Sequence, residues 1–249
     1  MTDVLALQGI RGGVGTTTLV AGLGDALHRL GERVLMVDAS PDNLLGLHFN
    51  LPVDEADGWV HAELSGRGWR EAAFEVEAGL VLVPYGLADA SQAETMEDRL
   101  RAGKGFWEAR CAGMGAHFDW ILFDLPRGLA AHAAAVVGSG LAPLLLRVAT
   151  LDAGCHVLLQ RHGIGSPHGF VVANRHDPAV QLQRDLAQLW AAQLGPRWIS
   201  KTVHEDAAVA EALAMKSPLA RYRPQALASI DLESLAVWCM AQAGRRERG

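Results

Sequence analysis

The sequence has few cysteines, few aromatic residues and no long apolar run. Its three cysteines, Cys111, Cys155 and Cys239, are far apart and lack zinc-ligand spacing, so we expect small buried thiols and no zinc site. No apolar run reaches the roughly 18 residues that a membrane-spanning helix needs. The formal net charge of −6 argues against a protein that mainly coats nucleic acid, and we expect no nucleic-acid partner.

Half of the 249 residues are apolar, and short apolar runs alternate with longer amphipathic stretches. This alternation predicts a doubly wound, mostly parallel α/β sheet with helices on both faces. We predict one domain over residues 1–244, with a surface insertion near residues 54–77, and a short basic tail at 245–249. Strands are expected at 4–7, 34–37, 80–83, 120–123, 144–148 and 170–173. Helices are expected at 17–30, near 93–114, and at 129–137, 153–161, 178–194, 207–216 and 229–243.

A glycine-rich loop lies between the first predicted strand and the first predicted helix. It comprises Arg11, Gly12, Gly13, Val14, Gly15, Thr16, Thr17 and Thr18. Glycines at such a turn let the backbone wrap an anion, and the N–H groups of a helix N-terminus favour phosphate. The loop therefore predicts a nucleotide-binding site, although glycines that only form a tight turn are the alternative.

The threonines of this loop define its expected chemistry. Phosphate-binding loops usually have lysine just before the Ser/Thr that binds Mg²⁺, and here Thr16 occupies the lysine position. Thr17 occupies the position of the Mg²⁺ ligand, and the Thr18 hydroxyl can bond an inner phosphate. The loop is thus suited to hold a nucleotide and is unusual for cleaving one.

Two predicted strands each deliver one aspartate to the same edge of the sheet. Asp38 follows the strand at 34–37, and Asp124 follows the strand at 120–123. Ligands of open α/β sheets bind at the carboxyl ends of the strands. Two carboxylates converging there need a cation, and Mg²⁺ held through Thr17 and a nucleotide phosphate would supply it. Taken singly, each aspartate could instead cap a helix N-terminus.

The last predicted strand is followed by Asn174 and Arg175. A carboxamide offers a donor and an acceptor together, which suits the N6 amino group and a ring nitrogen of adenine. We therefore predict that Asn174 and Arg175 contact the nucleotide, while a simple turn is the other interpretation of the asparagine.

These motifs resemble those of the MinD/ParA ATPases, a family with a deviant phosphate-binding loop. The glycine-rich loop, the segment 37–41 with its Asp38, the segment 123–126 with its Asp124, and the late segments 205–212 and 216–218 carry the resemblance. Within that family the likeness is strongest to the BcsQ group of bacterial cellulose biosynthesis, whose loop is lysine-free in the same way. Residues 42–45, 125–127 and 236–239 add to this likeness.

The resemblance implies ATP and Mg²⁺ as cofactors, and a homodimer that encloses two ATP molecules. It also implies a small partner, BcsR, and docking on components of the inner-membrane cellulose synthase complex. The implied location is cytoplasmic, with recruitment to the inner face of the inner membrane, at a pole or elsewhere, through partners only. Arg11 replaces the family's signature lysine and keeps a charge that can contact the nucleotide of the other subunit.

Two departures from the family pattern bear on hydrolysis. Thr16 lacks the charge of the in-loop lysine, and one charged hydrogen bond contributes about 1.5–3 kcal/mol. Ser40 stands where the family has a water-positioning aspartate, and Asp42 is the candidate catalytic replacement. We therefore expect slow or absent ATP hydrolysis and a regulator or scaffold of cellulose secretion. The main alternative is an active ParA/MinD-like ATPase that positions cargo at a membrane or pole; a reductase and a nucleotide-free scaffold fit the motifs less well.

Overall fold

The computed structural model describes residues 2–103, 105–128, 130–141, 143–162 and 169–246. These residues form a sheet of order β3-β4-β2-β5-β1-β6-β7, parallel throughout except for the antiparallel pair β3–β4. All six predicted strands are present in a doubly wound arrangement, as expected. The strands are β1 (Asp3–Gly9), β2 (Val34–Asp38), β3 (Phe74–Glu77), β4 (Leu80–Val83), β5 (Trp120–Leu125), β6 (Leu144–Thr150) and β7 (Phe170–Asn174).

Helices connect and cover these strands. Those in the described part of the chain are α1 (Thr16–Arg29), α2 (Trp59–Leu64), α3 (Ala90–Ala102), α4 (Phe106–Cys111), α5 (Ala130–Val137), α6 (Ala153–His162), α7 (Gln181–Leu194), α8 (Ala207–Ala214), α9 (Leu219–Tyr222) and α10 (Leu227–Arg246). Short 3-10 helices lie at Leu45–Phe49, Trp69–Ala72, Met114–Ala116 and Gly195–Arg197. Among the described helices, none combines the length and apolar character required to cross a bilayer.

One predicted helix and the predicted C-terminal tail need correction. The single helix expected near 93–114 is wrong, because the helical conformation is interrupted between α3 and α4, where Gly105 has a φ of 75°. The basic tail expected from residue 245 begins inside α10, and residues 247–249 lie outside the described residues. Leu129, the first residue of another predicted helix, is also outside them.

Successive residues of β1 pack into two different cores, one on each face of the sheet. Leu5 and Leu7 join apolar residues of α1 and α10. Val4 and Ala6 join a second cluster with residues of α3 and α4. A parallel sheet with both faces covered is apolar on both sides, which explains why its strands are continuous apolar runs.

The segment at 54–77 is not a surface insertion, contrary to the sequence prediction. Trp59 of α2 and Trp69 are both buried in the second core. Trp59 contacts Trp107 edge to face, with 5.1 Å between ring centroids. Residues 74–77 form β3, which extends the sheet at its edge. The glycines that suggested a loop separate short elements, while the large aromatic rings drive the segment into the core.

Candidate nucleotide-binding site

The glycine-rich loop leaves β1 and ends at the N-terminus of α1. Gly13 and Gly15 have φ angles of 75° and 86°, in the left-handed region that favours glycine. A Cβ placed on Gly12 or Gly13 would meet no described atom within 4 Å, so both glycines border open space. No described side chain caps α1, and its first turn has no acidic residue. The N–H groups of this turn are therefore available to an anion.

A cleft of about 510 Å³ lies over this loop. It brings together most of the site residues predicted from the sequence. Those lining it are Arg11, Gly12, Gly13, Gly15, Thr16, Thr17, Thr18, Asp42, Asp124 and Arg175, and they are joined by Gly9, Ser40, Pro41, Leu44, Leu125, Pro126, Arg127 and Gly128. Three predicted residues, Val14, Asp38 and Asn174, lie behind or beside the cleft.

Asp38 and Asp124 are register partners on the neighbouring strands β2 and β5. Both side chains are buried. The Asp38 carboxylate accepts hydrogen bonds from the backbone N–H groups of Ser40, at 2.9 Å, and Leu45, at 3.0 Å. Both of its oxygens are thus used to hold the chain that follows β2. The role of Asp38 in this structure is to position that segment.

Asp124 is held differently and faces the cleft. The Thr17 hydroxyl lies beside its carboxylate and acts to lower its pKa, while its Oδ2 atom is buried without a hydrogen-bond partner. An orphaned carboxylate oxygen beside a threonine hydroxyl is a donor set that suits Mg²⁺. Within the described ranges, no group of three His, Cys, Asp or Glu side chains could hold a metal, so the remaining ligands would be phosphate and water oxygens.

Burial shifts the titration of both aspartates upward. It raises the pKa of Asp124 to about 6, with the Thr17 hydrogen bond opposing the shift and the charge of Asp42 adding to it. The pKa of Asp38 is also raised well above its ordinary value, first by burial and then by the charge of Asp124. Like charges in a dry site explain both shifts, and a nearby cation would reverse them.

Asn174 connects β7 to the glycine-rich loop. Its Nδ2 donates a hydrogen bond to the backbone oxygen of Val14 at 2.8 Å, and the Val14 side chain is buried beneath the loop. A Cβ on Gly15 would collide with the Asn174 amide, so this contact also requires glycine at position 15. Asn174 and Arg175 line a second pocket of about 210 Å³ beside the loop.

Arg11 is paired within its own chain. Its guanidinium donates to Oδ2 of Asp152 at 2.8 Å and to Oγ1 of Thr150 at 3.1 Å, both at the end of β6. The Arg11 and Asp152 side chains are 39% and 36% exposed, so this ion pair is weak and can rearrange. Arg175 is also exposed, and its Nε lies 4.0 Å from Glu205.

Three further residues shape the site and were not singled out from the sequence. Arg127 donates from Nε to the backbone oxygen of Ile10 at 2.9 Å. Trp59 donates from Nε1 to the backbone oxygen of Asp38 at 2.8 Å. Arg127 and Asp152 both closely follow strands. The rule that ligands bind at the carboxyl ends of the strands, here called the strand-end rule, identified Asp124 and could have identified these two residues as well. No local sequence pattern indicates that Trp59 bonds the backbone of Asp38.

Several curated relatives of this chain are cellulose biosynthesis proteins. The family model described as "Cellulose biosynthesis protein BcsQ" matches residues 1–240. The BcsQ protein of Escherichia coli (strain K12) is 37% identical over 247 residues, covering 95% of this chain and 94% of that protein. The BcsQ protein of Salmonella typhimurium is 38% identical over 242 residues, with the same coverage.

Solved structures of MinD share the fold. The cell division ATPase MinD of Pyrococcus furiosus has a TM-score of 0.74 at 22% identity, covering 98% of this chain and 100% of that one. MinD complexed with Mg-ADP from Pyrococcus horikoshii has a TM-score of 0.71 at 19% identity, covering 95% of each chain. The predicted MinD/ParA-like fold is confirmed, and with the match over residues 1–240 the chain belongs to the BcsQ family of cellulose biosynthesis proteins.

Proposed function

We propose that this protein binds ATP with Mg²⁺, dimerises across two bound nucleotides, and regulates or scaffolds the bacterial cellulose secretion complex. One observation carries the proposal. A glycine loop with open space beside it and an uncapped helix N-terminus shares one cleft with the orphaned Oδ2 of Asp124. Phosphate suits the former and a divalent cation suits the latter.

Thr17 and Asp124 are the residues that would hold Mg²⁺, directly through the hydroxyl and directly or through water for the carboxylate. When bound, the ion neutralises phosphate charge and relieves the repulsion between the two buried aspartates. Asp38 would act indirectly, because its oxygens already hold Ser40 and Leu45. Two structures with this fold support the cofactors: MinD with Mg-ADP, and cobyrinic acid a,c-diamide synthase with an ATP analog and magnesium.

The smaller pocket beside the loop is the proposed adenine site. Its walls include Leu19, Val203, Leu213 and Leu232, and Asn174 stands at its edge. Apolar walls beside a convergent amide suit a flat heterocycle with ring nitrogens, and Thr18, Arg175, His204, Glu205 and Asp206 add polar groups to the lining. The Asn174 amide already donates to Val14, so a base contact there would also stiffen the loop.

Hydrolysis is proposed to be slow or absent. Thr16 brings no positive charge to the phosphates, and Ser40 cannot accept a proton as a carboxylate does. Asp42 favours the alternative of an active positioning ATPase, because it lines the cleft and its charge acts on Asp124. Docking on BcsR and on the inner face of the inner-membrane synthase completes the proposal.

The dimer is tested with Arg11→Ala, against Arg161→Ala, which changes an exposed arginine of α6. We expect wild type and Arg161→Ala to dimerise with ATP and Mg²⁺ in mass-resolved size exclusion. Arg11→Ala should stay monomeric and still bind ATP, since its guanidinium would contact the nucleotide of the other subunit. An unchanged dimer of Arg11→Ala would remove this role. Rapid phosphate release by wild type would favour the positioning ATPase.

A further inference from the structure

A second cleft, of about 310 Å³, opens beside the loop cleft at the ends of β1, β5 and β6. Its lining shares Gly9 and Arg127 with the loop cleft, and no lining residue carries a carboxylate. The residues that line it are Gln8, Gly9, Ile10, Arg127, Arg147 and Leu158. The positive charges of Arg127 and Arg147 thus border a small cleft whose lining has no acidic side chain.

Arg147 is the inner arginine of this cleft. It lies on β6 in register with Gln8 of β1. Its Nε atom is buried and has no hydrogen-bond partner. Burial alone lowers the pKa of this guanidinium, and no acidic neighbour opposes that shift. A buried charged donor without an acceptor is unfavourable, and a bound anion that drew the guanidinium toward the cleft would relieve this.

Arg127 is fixed at the mouth of the cleft. Its Nε donates to the Ile10 backbone oxygen at 2.9 Å, while its terminal N–H groups have no acceptor among the described residues. Ile10 immediately precedes the glycine-rich loop. The same guanidinium therefore borders both clefts and holds the backbone that leads into the loop.

We infer that this cleft binds a single phosphate group between Arg127 and Arg147. A tetrahedral oxyanion has enough acceptor oxygens to meet two guanidinium forks at once, and such bonds are among the strongest that proteins make. Because Arg127 also holds Ile10, an anion in this cleft would change the support of the nucleotide loop. The coupling would be reciprocal, so a nucleotide in the loop cleft would change phosphate affinity.

The test is calorimetric titration of inorganic phosphate into wild type, Arg147→Met and Arg161→Met. We expect wild type and Arg161→Met to bind alike, and Arg147→Met to bind at least about tenfold more weakly, through loss of charge-assisted hydrogen bonds. No binding to wild type, or equal binding to Arg147→Met, would overturn the inference, the latter by placing phosphate on the glycine loop.

Two additions complete this test. Arg127→Met should weaken phosphate binding to a similar degree, and it replaces Arg147→Met if circular dichroism shows that the latter does not fold. Glycerol 1-phosphate is titrated in parallel. Tighter binding of inorganic phosphate assigns the site to the free anion, whereas tighter binding of the ester assigns it to a phosphate carried on a larger molecule; both support the site.

Discussion

The ends of β2 and β5 each bury one aspartate at the same edge of the sheet, yet the two carboxylates are used differently. Asp38 has both oxygens on backbone N–H groups and lies behind the cleft. Asp124 faces the cleft with Oδ2 unpartnered and the Thr17 hydroxyl beside it. A buried carboxylate whose oxygens both accept backbone hydrogen bonds fixes the chain around it, whereas one with an unpartnered oxygen favours a ligand.

The difference arises from the chain that follows each strand. After β2 the backbone turns back, so that the N–H groups of Ser40 and Leu45 point at Asp38. Trp59 reinforces the turn by bonding the Asp38 backbone oxygen. After β5 the chain runs through Pro126, which has no backbone N–H to donate. Asp124 is thus left to face the cleft.

The largest expected effect is on Mg²⁺-dependent nucleotide binding. Asp124→Asn should weaken the binding of ATP with Mg²⁺ by about tenfold to a hundredfold, because a charged metal-side contact is lost. Asp38→Asn should change it less. Calorimetric titration with and without Mg²⁺ measures both, and an equal loss in the two variants would erase the distinction between the aspartates.

A second effect concerns stability against pH in the nucleotide-free protein. The pKa of Asp124, raised to about 6, means that the folded state binds its proton more tightly than the unfolded state. Stability is therefore lost as pH rises from about 4 through about 6, by about 3 kcal/mol. Urea unfolding of wild type and Asp124→Asn should converge at pH 4 and diverge at pH 8, with the variant more stable. A constant difference across this range would contradict the raised pKa.

The third effect is at the neighbouring strand. At pH 8, Asp38→Asn should leave the nucleotide-free protein about 1–2 kcal/mol less stable than Asp124→Asn does, because its amide NH₂ group would face a backbone N–H of Ser40 or Leu45 and offset the relief of buried charge. Urea titration at pH 8 gives the value directly. If Asp124→Asn left the protein less stable than Asp38→Asn does, the two roles would be reversed: Asp124 would position the backbone and Asp38 would bind the ligand.

The smallest effect comes from Asp42, an exposed carboxylate at the cleft rim. Its charge contributes to the raised pKa of Asp124, so Asp42→Asn should lower that pKa and stabilise the empty protein by under about 0.5 kcal/mol at pH 8. Any ATP turnover should be measured on the same samples. Turnover that disappears with Asp42 would assign it the base role, while unchanged turnover would exclude that role.

Much of the fold and of the cleft follows from local sequence patterns. The strands around Asp38, Asp124 and Asn174 are short apolar runs, and the strand-end rule places all three at the carboxyl edge of the sheet. The glycines at positions 13 and 15 have the positive φ that a phosphate loop needs. These features depend on short spacings, which a sequence displays directly.

The remainder depends on contacts that are distant along the chain. Trp59 bonds the backbone of Asp38 across 21 positions, and Arg11 meets Asp152 across 141 positions. Neither contact is visible from spacing, so the sequence indicated an insertion at 54–77 and gave no sign that Arg11 pairs with Asp152. The sequence also did not indicate that Asp38 positions the following segment, because this role depends on the backbone N–H of Leu45 folding back to the Asp38 carboxylate.

The nucleotide content of the purified protein tests the proposed ATP-bound dimer most directly. The protein is denatured without prior addition of nucleotide, the released nucleotide is identified by chromatography, and the native mass is measured in parallel. We expect ATP in a dimer, retained because the lysine-free loop binds the phosphates of ATP and hydrolyses ATP slowly or not at all. ADP in a monomer would contradict it, since the site would then turn over without either lysine.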